Sequence, residues 1–358
     1  MTTFTEEVRI VGAGLLGTSI GLALTKQGAD VAITSKSTKS VDLAVSYGAG
    51  RVASSSDSPK LILVCVPPQL TAQIVAEELA AFPGAIVTDV ASVKSGILEE
   101  LVQLGAPIER YVGSHPMAGR ERGGAIAGRA DLFVGRPWVI TPNEKSTEEG
   151  VNLVEQLATA LEASVVKTTP KDHDRAVALV SHVPQLISSL LAARLVDAKS
   201  EDVSLAGQGL RDTTRIAASD PDLWIQILEA NSSEIVAVLK TFAKELAEVV
   251  DSLDEIKSEN SLQQLRKVLE SGNSGIEKIP GKHGTKHSRY AQIIVMIDDK
   301  PGELARLLTE VGEIGINLEE LKLEHSPSAQ IGLVELYVVP QAEESLISDL
   351  QKRGWRIA

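Results

Sequence analysis

Three glycines near the start of the chain have the spacing of a dinucleotide-binding turn. Gly12, Gly14 and Gly17 fit the pattern G-x-G-x-x-G, directly after a predicted strand and at the start of a predicted helix. The first glycine permits a tight turn, the second lets the backbone approach a pyrophosphate, and the third lets the helix pack on the strand. The helix N-terminus, at Leu15 and Leu16, would supply amides to the phosphates. The pattern therefore predicts nucleotide binding.

The residues after the second predicted strand bear on the choice of cofactor. An acidic residue about 20 positions after the glycines is typical of NAD sites, because it binds the ribose hydroxyls. Here the strand 30–34 is followed by Ser35 and Lys36. A hydroxyl and a lysine suit a 2′-phosphate better, so we expect NAD(P) with NADP slightly favoured. The alternative is that Lys36 is a solvated loop residue.

A histidine at the end of another predicted strand is a candidate general base. Pro116 follows His115 and disfavours helical backbone there, which holds the imidazole at the carboxyl end of the strand, where open α/β sheets bind ligands. The ordinary pKa of histidine, ~6.5, suits proton transfer near neutral pH. In the run 89–94, we expect Ser92 to orient His115 and Asp89 to contribute to the cofactor site. Lys94 is either a ligand contact or solvated.

Taken together, these segments resemble the prephenate/arogenate dehydrogenase family of tyrosine biosynthesis. The matching pieces, in the family's order and covering most of residues 8–255, are GAGLLGTS (12–19), DVASVK (89–94), GSHPMAG (113–119), HD (173–174), SHVPQ (181–185) and LRDTTRIAASDPDLW (210–224). The resemblance implies oxidative decarboxylation of prephenate to 4-hydroxyphenylpyruvate with NAD(P)+. That chemistry needs a base, a positioned nicotinamide and cations for two carboxylates.

The resemblance also implies roles for individual residues. His115 matches the family's catalytic histidine, and Ser92 matches the serine that hydrogen-bonds it. Arg215 matches the arginine that binds a substrate carboxylate, for which a guanidinium offers two parallel donors. The alternative is a structural pair of Arg215 with Asp212 or Glu121. If Arg215 binds substrate, we expect Glu121 to gate it by pairing with the arginine when the site is empty.

Further side chains are candidates for binding the substrate. They are His182, Gln185, Glu121, Trp224 and Arg211. His182 and Gln185 share a helix face, whereas His173 lies nine residues before His182 and about half a turn out of phase. Both histidines therefore serve one site only if the helix starts after His173, and we expect His173 and Asp174 to be an orienting or structural pair. Gln185 stands where the family often has a second histidine, which leaves prephenate and arogenate both open.

The fold that must position these residues is predicted to be α/β followed by two further domains. Six apolar runs alternate with amphipathic segments in residues 1–170, which predicts a Rossmann-type, mostly parallel sheet. They are 8–14, 30–34, 61–67, 85–92, 109–116 and 137–142. Residues 171–270 predict an all-helical substrate and dimerisation domain, including one helix from the N-cap Asp220 to about Leu253.

The remainder of the chain predicts a linker and a small third domain. Residues 271–289 are rich in Gly, Ser and Lys and are typical of a linker. Residues 290–358 have the order βαββαβ of a ferredoxin-like unit, with Pro301 opening its first helix and Gly315 closing it. This segment resembles an ACT domain, a small-molecule sensing module, which implies L-tyrosine as a possible effector.

Composition narrows the class of protein. The 358 residues have a formal net charge of −13, which disfavours nucleic-acid binding. Leu61–Val66 is among the longest aliphatic runs and is far shorter than the ~20 residues of a membrane span. The single cysteine, Cys65, excludes an intrachain disulfide and a multi-cysteine metal site. We expect a cytoplasmic homodimer without a metal, acting on a small molecule.

Two other functions compete with this interpretation. A β-hydroxyacid dehydrogenase would share the layout, but such enzymes typically use a helical lysine, and the sequence has none between His173 and Val196. A nucleotide-dependent sensor would bind ligands without turnover. It would have no need of His115 and Arg215 beside a cofactor.

Overall fold

The structure, a computed structural model, describes residues 3–118, 123–280, 290–325 and 331–358. The chain divides into two compact units, Met1–Lys244 and Glu245–Ala358. The division predicted from the sequence, at 170, 270 and 289, stays a prediction. The predicted linker, 271–289, overlaps a helix that continues to Ile276.

The first unit contains one eight-stranded sheet. Its strands are β1 (Val8–Val11), β2 (Val31–Thr34), β3 (Arg51–Val52), β4 (Leu61–Val64), β5 (Ile86–Asp89), β6 (Tyr111–Pro116), β7 (Pro137–Pro142) and β8 (Ser164–Lys167). The order is β3-β2-β1-β4-β5-β6-β7-β8, and β7 runs antiparallel to β6. The mostly parallel sheet is confirmed. Two strands were not predicted, because β3 has only two residues and β8 is largely exposed.

Helices cover both faces of this sheet. They are α1 (Leu15–Lys26), α2 (Thr38–Ser46), α3 (Pro68–Ala81), α4 (Ser95–Gln103) and α5 (Glu148–Ala160). Alternate residues of the strands therefore enter two separate apolar cores, with Ile10 in one and Val11 in the other. Gly28 lies just beyond the end of α1 at Lys26, and its φ of 90° is the left-handed conformation that commonly follows a helix.

Every element from Pro170 to Ile276 is helical, as predicted. The elements are α6 (Pro170–Val177), a π-helical segment (Ala178–His182), α7 (Val183–Ala193), α8 (Ser200–Val203), α9 (Gln208–Thr214), a 3-10 turn (Arg215–Ala217), α10 (Pro221–Ala230), α11 (Ser232–Asp254) and α12 (Glu259–Ile276). Asp220 caps α10 through the amides of Asp222 and Leu223, as expected. The single helix predicted up to Leu253 is wrong, because it is interrupted at Asn231.

The continuous helical stretch Pro170–Ala193 is long and apolar enough to cross a membrane, judged by length and composition alone. Such a stretch is weak evidence of a membrane span, because the core helices of other proteins are equally long and apolar. This one carries His173, Asp174 and His182, which are 2–3% exposed and hydrogen-bonded to side chains or backbone of the same unit. A buried polar network favours a core helix.

Beyond the end of α11 and α12, the second unit contains a four-stranded antiparallel sheet and two more α-helices within the described residues. The elements of this part are β9 (Ala291–Asp298), α13 (Glu303–Ile314), β10 (Glu320–His325), β11 (Ile331–Val338), α14 (Glu343–Lys352) and β12 (Arg356–Ile357). The strand order is β10-β11-β9-β12, which is the predicted βαββαβ arrangement. Gly315 ends α13 with a φ of 81°, as predicted, whereas Pro301 lies two residues before that helix begins.

Candidate active site

The glycine turn between β1 and α1 has the shape that a dinucleotide requires. Gly12 has a φ of 117°, and a Cβ there would lie 2.1 Å from the carbonyl oxygen of Cys65. A Cβ on Gly17 would lie 2.0 Å from the carbonyl oxygen of Gly12. A Cβ on Gly14 would meet no atom within 4 Å, and no side chain caps α1. The open space at this helix N-terminus fits a pyrophosphate.

The two candidates for cofactor selection lie beside this turn. The amide of Gly12 donates to the carbonyl of Thr34 at 2.8 Å, so the end of β2 adjoins the glycine turn. Ser35 and Lys36 follow directly; Lys36 is exposed, and Ser35 Oγ accepts from the amide of Ser37 at 3.4 Å. The position suits contact with the ribose of a bound dinucleotide.

A buried ion pair lies at the end of β5. Lys94 Nζ donates to Asp89 Oδ1, and both side chains are at most 1% exposed. Tyr111 donates to Asp89 Oδ2 at 2.7 Å, and the amide of Ala91 donates to Asp89 Oδ1 at 2.8 Å. Burial lowers the pKa of Lys94, against the opposing effect of the Asp89 charge. Lys94 is therefore not solvated, and the Asp89 side chain is buried with its partners, so its cofactor contact stays a prediction.

His115 is joined to a second histidine rather than to the predicted serine. It lies in β6, in the extended backbone expected before Pro116, and its Nδ1 is 2.9 Å from Nε2 of His173. Ser92 forms no hydrogen bond to His115 within the described parts of the chain. Its orienting role is a prediction that this geometry does not support. Desolvation, followed by the charges of His173, Lys94 and His182, lowers the pKa of His115 well below 6.5.

Asp174 completes a chain of three side chains. Its Oδ1 lies 2.8 Å from Nδ1 of His173, and its carboxylate accepts the backbone amides of Lys94 at 2.8 Å and Ser95 at 2.7 Å. Burial raises the pKa of Asp174, but the hydrogen bonds from His173 and Ser95 outweigh it, so the pKa lies below its usual value. The predicted pairing of His173 with Asp174 is present, and it extends to His115.

The π-helical segment brings His173 and His182 to the same region. The amide of Val183 donates to the carbonyl of Ala178, a five-residue spacing. Pro184 has no N–H to continue the α-helical pattern. Each residue of an α-helix advances about 100° around the helix axis. One extra residue in this turn therefore reduces the angular separation of His173 and His182 by about 100°. The expectation that the helix must begin after His173 is therefore wrong. The π-helical segment brings the two histidines closer around the helix axis without a break after His173.

Asn231 is a site residue that the sequence interpretation missed. Its side chain is buried, and Nδ2 donates to the backbone carbonyl of Asp174 at 2.9 Å and lies 3.1 Å from Nδ1 of His182. Burial lowers the pKa of His182 to about 4. Trp224 lies edge-on to His182, with ring centroids 6.1 Å apart, and its contact with substrate stays a prediction. The available signal was an asparagine interrupting a helical pattern.

The arginines lie in a segment that contacts α7. Gln185 Nε2 donates to Ser219 Oγ at 2.6 Å, and the turn Arg215–Ala217 packs on α7. Arg211 and Arg215 are exposed, and within the residues that the structure describes Arg215 forms no ion pair. Asp212 accepts from Gln208 instead, so the alternative pair of Arg215 with Asp212 is not formed. The prediction for Glu121 lies outside the described residues.

Two family models match consecutive parts of the chain. The nucleotide-binding domain of prephenate dehydrogenase matches residues 20–167, and the dimerization domain of prephenate dehydrogenase matches residues 169–271. Both matches end before the βαββαβ segment. The matched boundary near residue 168 coincides with the change from the sheet to the helices.

Similar proteins agree with these matches. A probable prephenate dehydrogenase, NovF, of Streptomyces niveus is 33% identical over 353 residues, which are 97% of this chain and 98% of the relative. A prephenate dehydrogenase from A. aeolicus, solved with hydroxyphenyl propionate and NAD+, is 26% identical with a TM-score of 0.67, over 77% of this chain and 100% of that one. Synechocystis arogenate dehydrogenase is 27% identical with a TM-score of 0.64, over 75% and 99%.

Proposed function

The chain belongs to the prephenate dehydrogenase family, and from this premise we propose that it catalyses the NAD(P)+-dependent oxidative decarboxylation of prephenate to 4-hydroxyphenylpyruvate. The observation that carries the proposal is the contact of His115 with His173 at the carboxyl end of β6. Because β6 runs parallel to β5, and β5 and β4 to β1, this end lies on the same sheet edge as the glycine turn. A base and a nucleotide site on one edge are what the reaction needs.

His115 is the proposed base. Its lowered pKa keeps the imidazole neutral at pH 7, so a ring nitrogen can accept the C4 hydroxyl proton as C4 becomes ketone-like. Removal of the ring carboxylate as carbon dioxide then makes the ring aromatic. The bound nicotinamide supplies the hydride acceptor for C4.

Arg215 and His182 are proposed to bind the substrate's oxygens. Arg215 is free of ion pairs within the described residues and can offer two parallel donors to a carboxylate. Nδ1 of His182 accepts from Asn231, because the group facing the Asp174 carbonyl must be the amide NH₂. The proton of neutral His182 is therefore on Nε2, which can donate to a substrate oxygen. Trp224 would form an apolar wall beside it.

The backbone of the glycine turn is proposed to hold the pyrophosphate. Gly14, Leu15 and Leu16 begin α1, and the space at Gly14 is open. Ser35 and Lys36 support NADP over NAD, because a cation at the end of β2 would favour a 2′-phosphate. Lys36→Ala should weaken the binding of NADP+ more than the binding of NAD+. An equal loss of affinity for both cofactors would contradict this preference.

Arogenate is the second candidate substrate. Gln185 is neutral and hydrogen-bonded to Ser219, so it adds no positive charge that would favour pyruvyl over the alanyl side chain of arogenate. The test is initial rates of nicotinamide reduction with both substrates and both cofactors. We expect prephenate to have the higher kcat/KM, whereas reduction with neither substrate would refute the proposed activity.

The variant His115→Asn tests the role of the base. We expect turnover to be almost abolished while the dissociation constant of the cofactor stays within about twofold. An equal loss of cofactor binding would show a structural histidine instead. Arg215→Ala should mainly raise KM, by an amount that reflects a charge-assisted contact of ~1.5–3 kcal/mol. An unchanged KM would exclude Arg215 as the carboxylate ligand.

The C-terminal βαββαβ segment is proposed to be an ACT-like sensing domain for L-tyrosine, in a cytoplasmic homodimer. The strand order β10-β11-β9-β12 supports the fold, and the dimerization-domain match at residues 169–271 supports the dimer. Truncation near residue 288 should remove inhibition by tyrosine while preserving activity. Inhibition that persists would place the effect at the active site.

A further inference from the structure

We propose that His173, backed by Asp174, is a positioning residue that selects the tautomer of His115, so that Nε2 is the nitrogen that accepts the substrate proton. The inference rests on the proposed function, because it assumes that His115 is the base. It adds the second histidine and the carboxylate as the groups that orient that base.

The tautomers follow from the acceptors, beginning at Asp174. This carboxylate accepts two backbone amides, and such bonds favour the ionised form, which has no proton to donate. Nδ1 of His173 must therefore carry the hydrogen of the 2.8 Å contact with Asp174. In neutral His173 the other nitrogen, Nε2, is then an acceptor. The hydrogen of the 2.9 Å contact belongs to Nδ1 of His115, which leaves Nε2 of His115 unprotonated.

Buried contacts hold both ends of the hydrogen-bonded series His115, His173 and Asp174. Lys94 donates from Nζ to the carbonyl of Ser114, the residue before His115, at 2.7 Å, and from its backbone amide to Asp174. Asn231 donates to the backbone carbonyl of Asp174. The ring of His173 is itself almost fully buried, at 2% exposed. Rotation of His173 away from His115 would therefore leave buried polar groups unpaired, which is costly.

The groups around His115 divide into two sets. The charges of His173, Lys94 and His182 oppose a positive charge on the ring, whereas neutral His173, oriented by Asp174, accepts a hydrogen bond from it. Asp89 lies behind Lys94 and offsets the lysine charge. In the reaction the substrate O–H bond breaks and the Nε2–H bond of His115 forms. The resulting imidazolium still donates its Nδ1–H to Nε2 of His173. Within the described residues this nitrogen is the only acceptor that faces Nδ1, and its hydrogen bond stabilises the new charge.

The tautomer can be measured directly by ¹⁵N NMR of histidine-labelled full-length protein, with His115→Asn used to assign the His115 signals. We expect His115 in the wild type to carry its proton on Nδ1, and His173→Ala to move the equilibrium towards Nε2–H. His173→Gln is the matched control, because its side-chain carbonyl can accept from Nδ1 near the position of the lost Nε2. This variant should retain the Nδ1–H form.

Kinetics of the same variants provide the second measurement. His173→Ala should lower kcat between about 10²- and 10⁴-fold, with KM and the cofactor dissociation constant changed by less than about threefold. His173→Gln should recover at least tenfold of that loss. An Nε2–H tautomer in the wild type, a tautomer indifferent to His173→Ala, or no recovery in His173→Gln would each overturn the inference. A wild type inactive on both substrates, with the tautomer as expected, would refute only the proposed function.

Discussion

Lys94 and Asp89 form an ion pair in which neither side chain is more than 1% exposed. The pair is completed by bonds from Lys94 to the carbonyl of Ser114 and from Tyr111 to Asp89. Ser114 precedes the proposed base, so the pair ties the end of β5 to the strand that carries His115. A buried charge is stable inside the protein only while its oppositely charged partner is present.

Removal of one partner should therefore destabilise the protein strongly. Lys94→Met leaves Asp89 without its cation, and we expect the free energy of unfolding to fall by about 3–5 kcal/mol. Urea denaturation followed by circular dichroism measures the change. Lys60→Met, at an exposed lysine, is the control and should change it by less than about 0.5 kcal/mol. Unfolding of Lys94→Met at the wild-type urea concentration would contradict the importance of this pair.

The glycine turn offers a matched pair of substitutions with opposite outcomes. Gly12→Ala adds a Cβ 2.1 Å from the Cys65 carbonyl at a positive φ, and should cost roughly 3 kcal/mol or more in stability. Gly14→Ala meets open space, so its stability should stay within about 1 kcal/mol of the wild type. The new methyl would obstruct the pyrophosphate, and we expect cofactor affinity, measured by calorimetry, to fall at least about tenfold. Unchanged affinity in Gly14→Ala would show that the cofactor does not bind against this turn.

The pKa of His182 predicts how stability depends on pH. This pKa falls from 6.5 to about 4 on folding, so between these values the unfolded chain binds a proton that the folded protein does not. Stability therefore increases with pH across this interval and is lost as the pH falls from 6.5 towards 4, by at most about 3 kcal/mol from this residue. His182→Asn keeps an acceptor for Asn231 but cannot titrate, so its unfolding free energy should vary less over the interval. An identical pH profile in both proteins would assign the dependence to other groups.

Asn231 should affect both stability and substrate binding. Asn231→Ala removes the donor to Nδ1 of His182 and one of the donors to the Asp174 carbonyl, which keeps the amide of Ala178, and we expect a loss of about 1–3 kcal/mol. KM should rise, because His182 is then free to change tautomer and lose its Nε2 proton. Asn273→Ala, at an exposed position in α12, is the control and should change neither quantity. Thermal unfolding and initial rates measure both effects, and a stable variant with an unchanged KM would refute this role.

Much of the fold could be predicted because its signals are local. The turn at Gly12, the strand before Pro116 and the cap at Asp220 each depend on residues within one turn of the chain. The strands β3 and β8 escaped prediction because one is short and the other is exposed, so neither has a marked apolar pattern. The break at Asn231 escaped because helical periodicity continues on both sides of it.

By itself, the sequence determined the nucleotide-binding turn, the extended backbone at His115 and the order of sheet, helices and βαββαβ segment, since each follows from spacing and local backbone preference. Only the tertiary structure decided which groups face each other. It paired His115 with His173 rather than Ser92 and enclosed Asp89 with Lys94. It also inserted a π-turn that realigns His182. The physical reason is that hydrogen-bond partners distant in sequence are selected by burial, which leaves no periodic pattern along the chain.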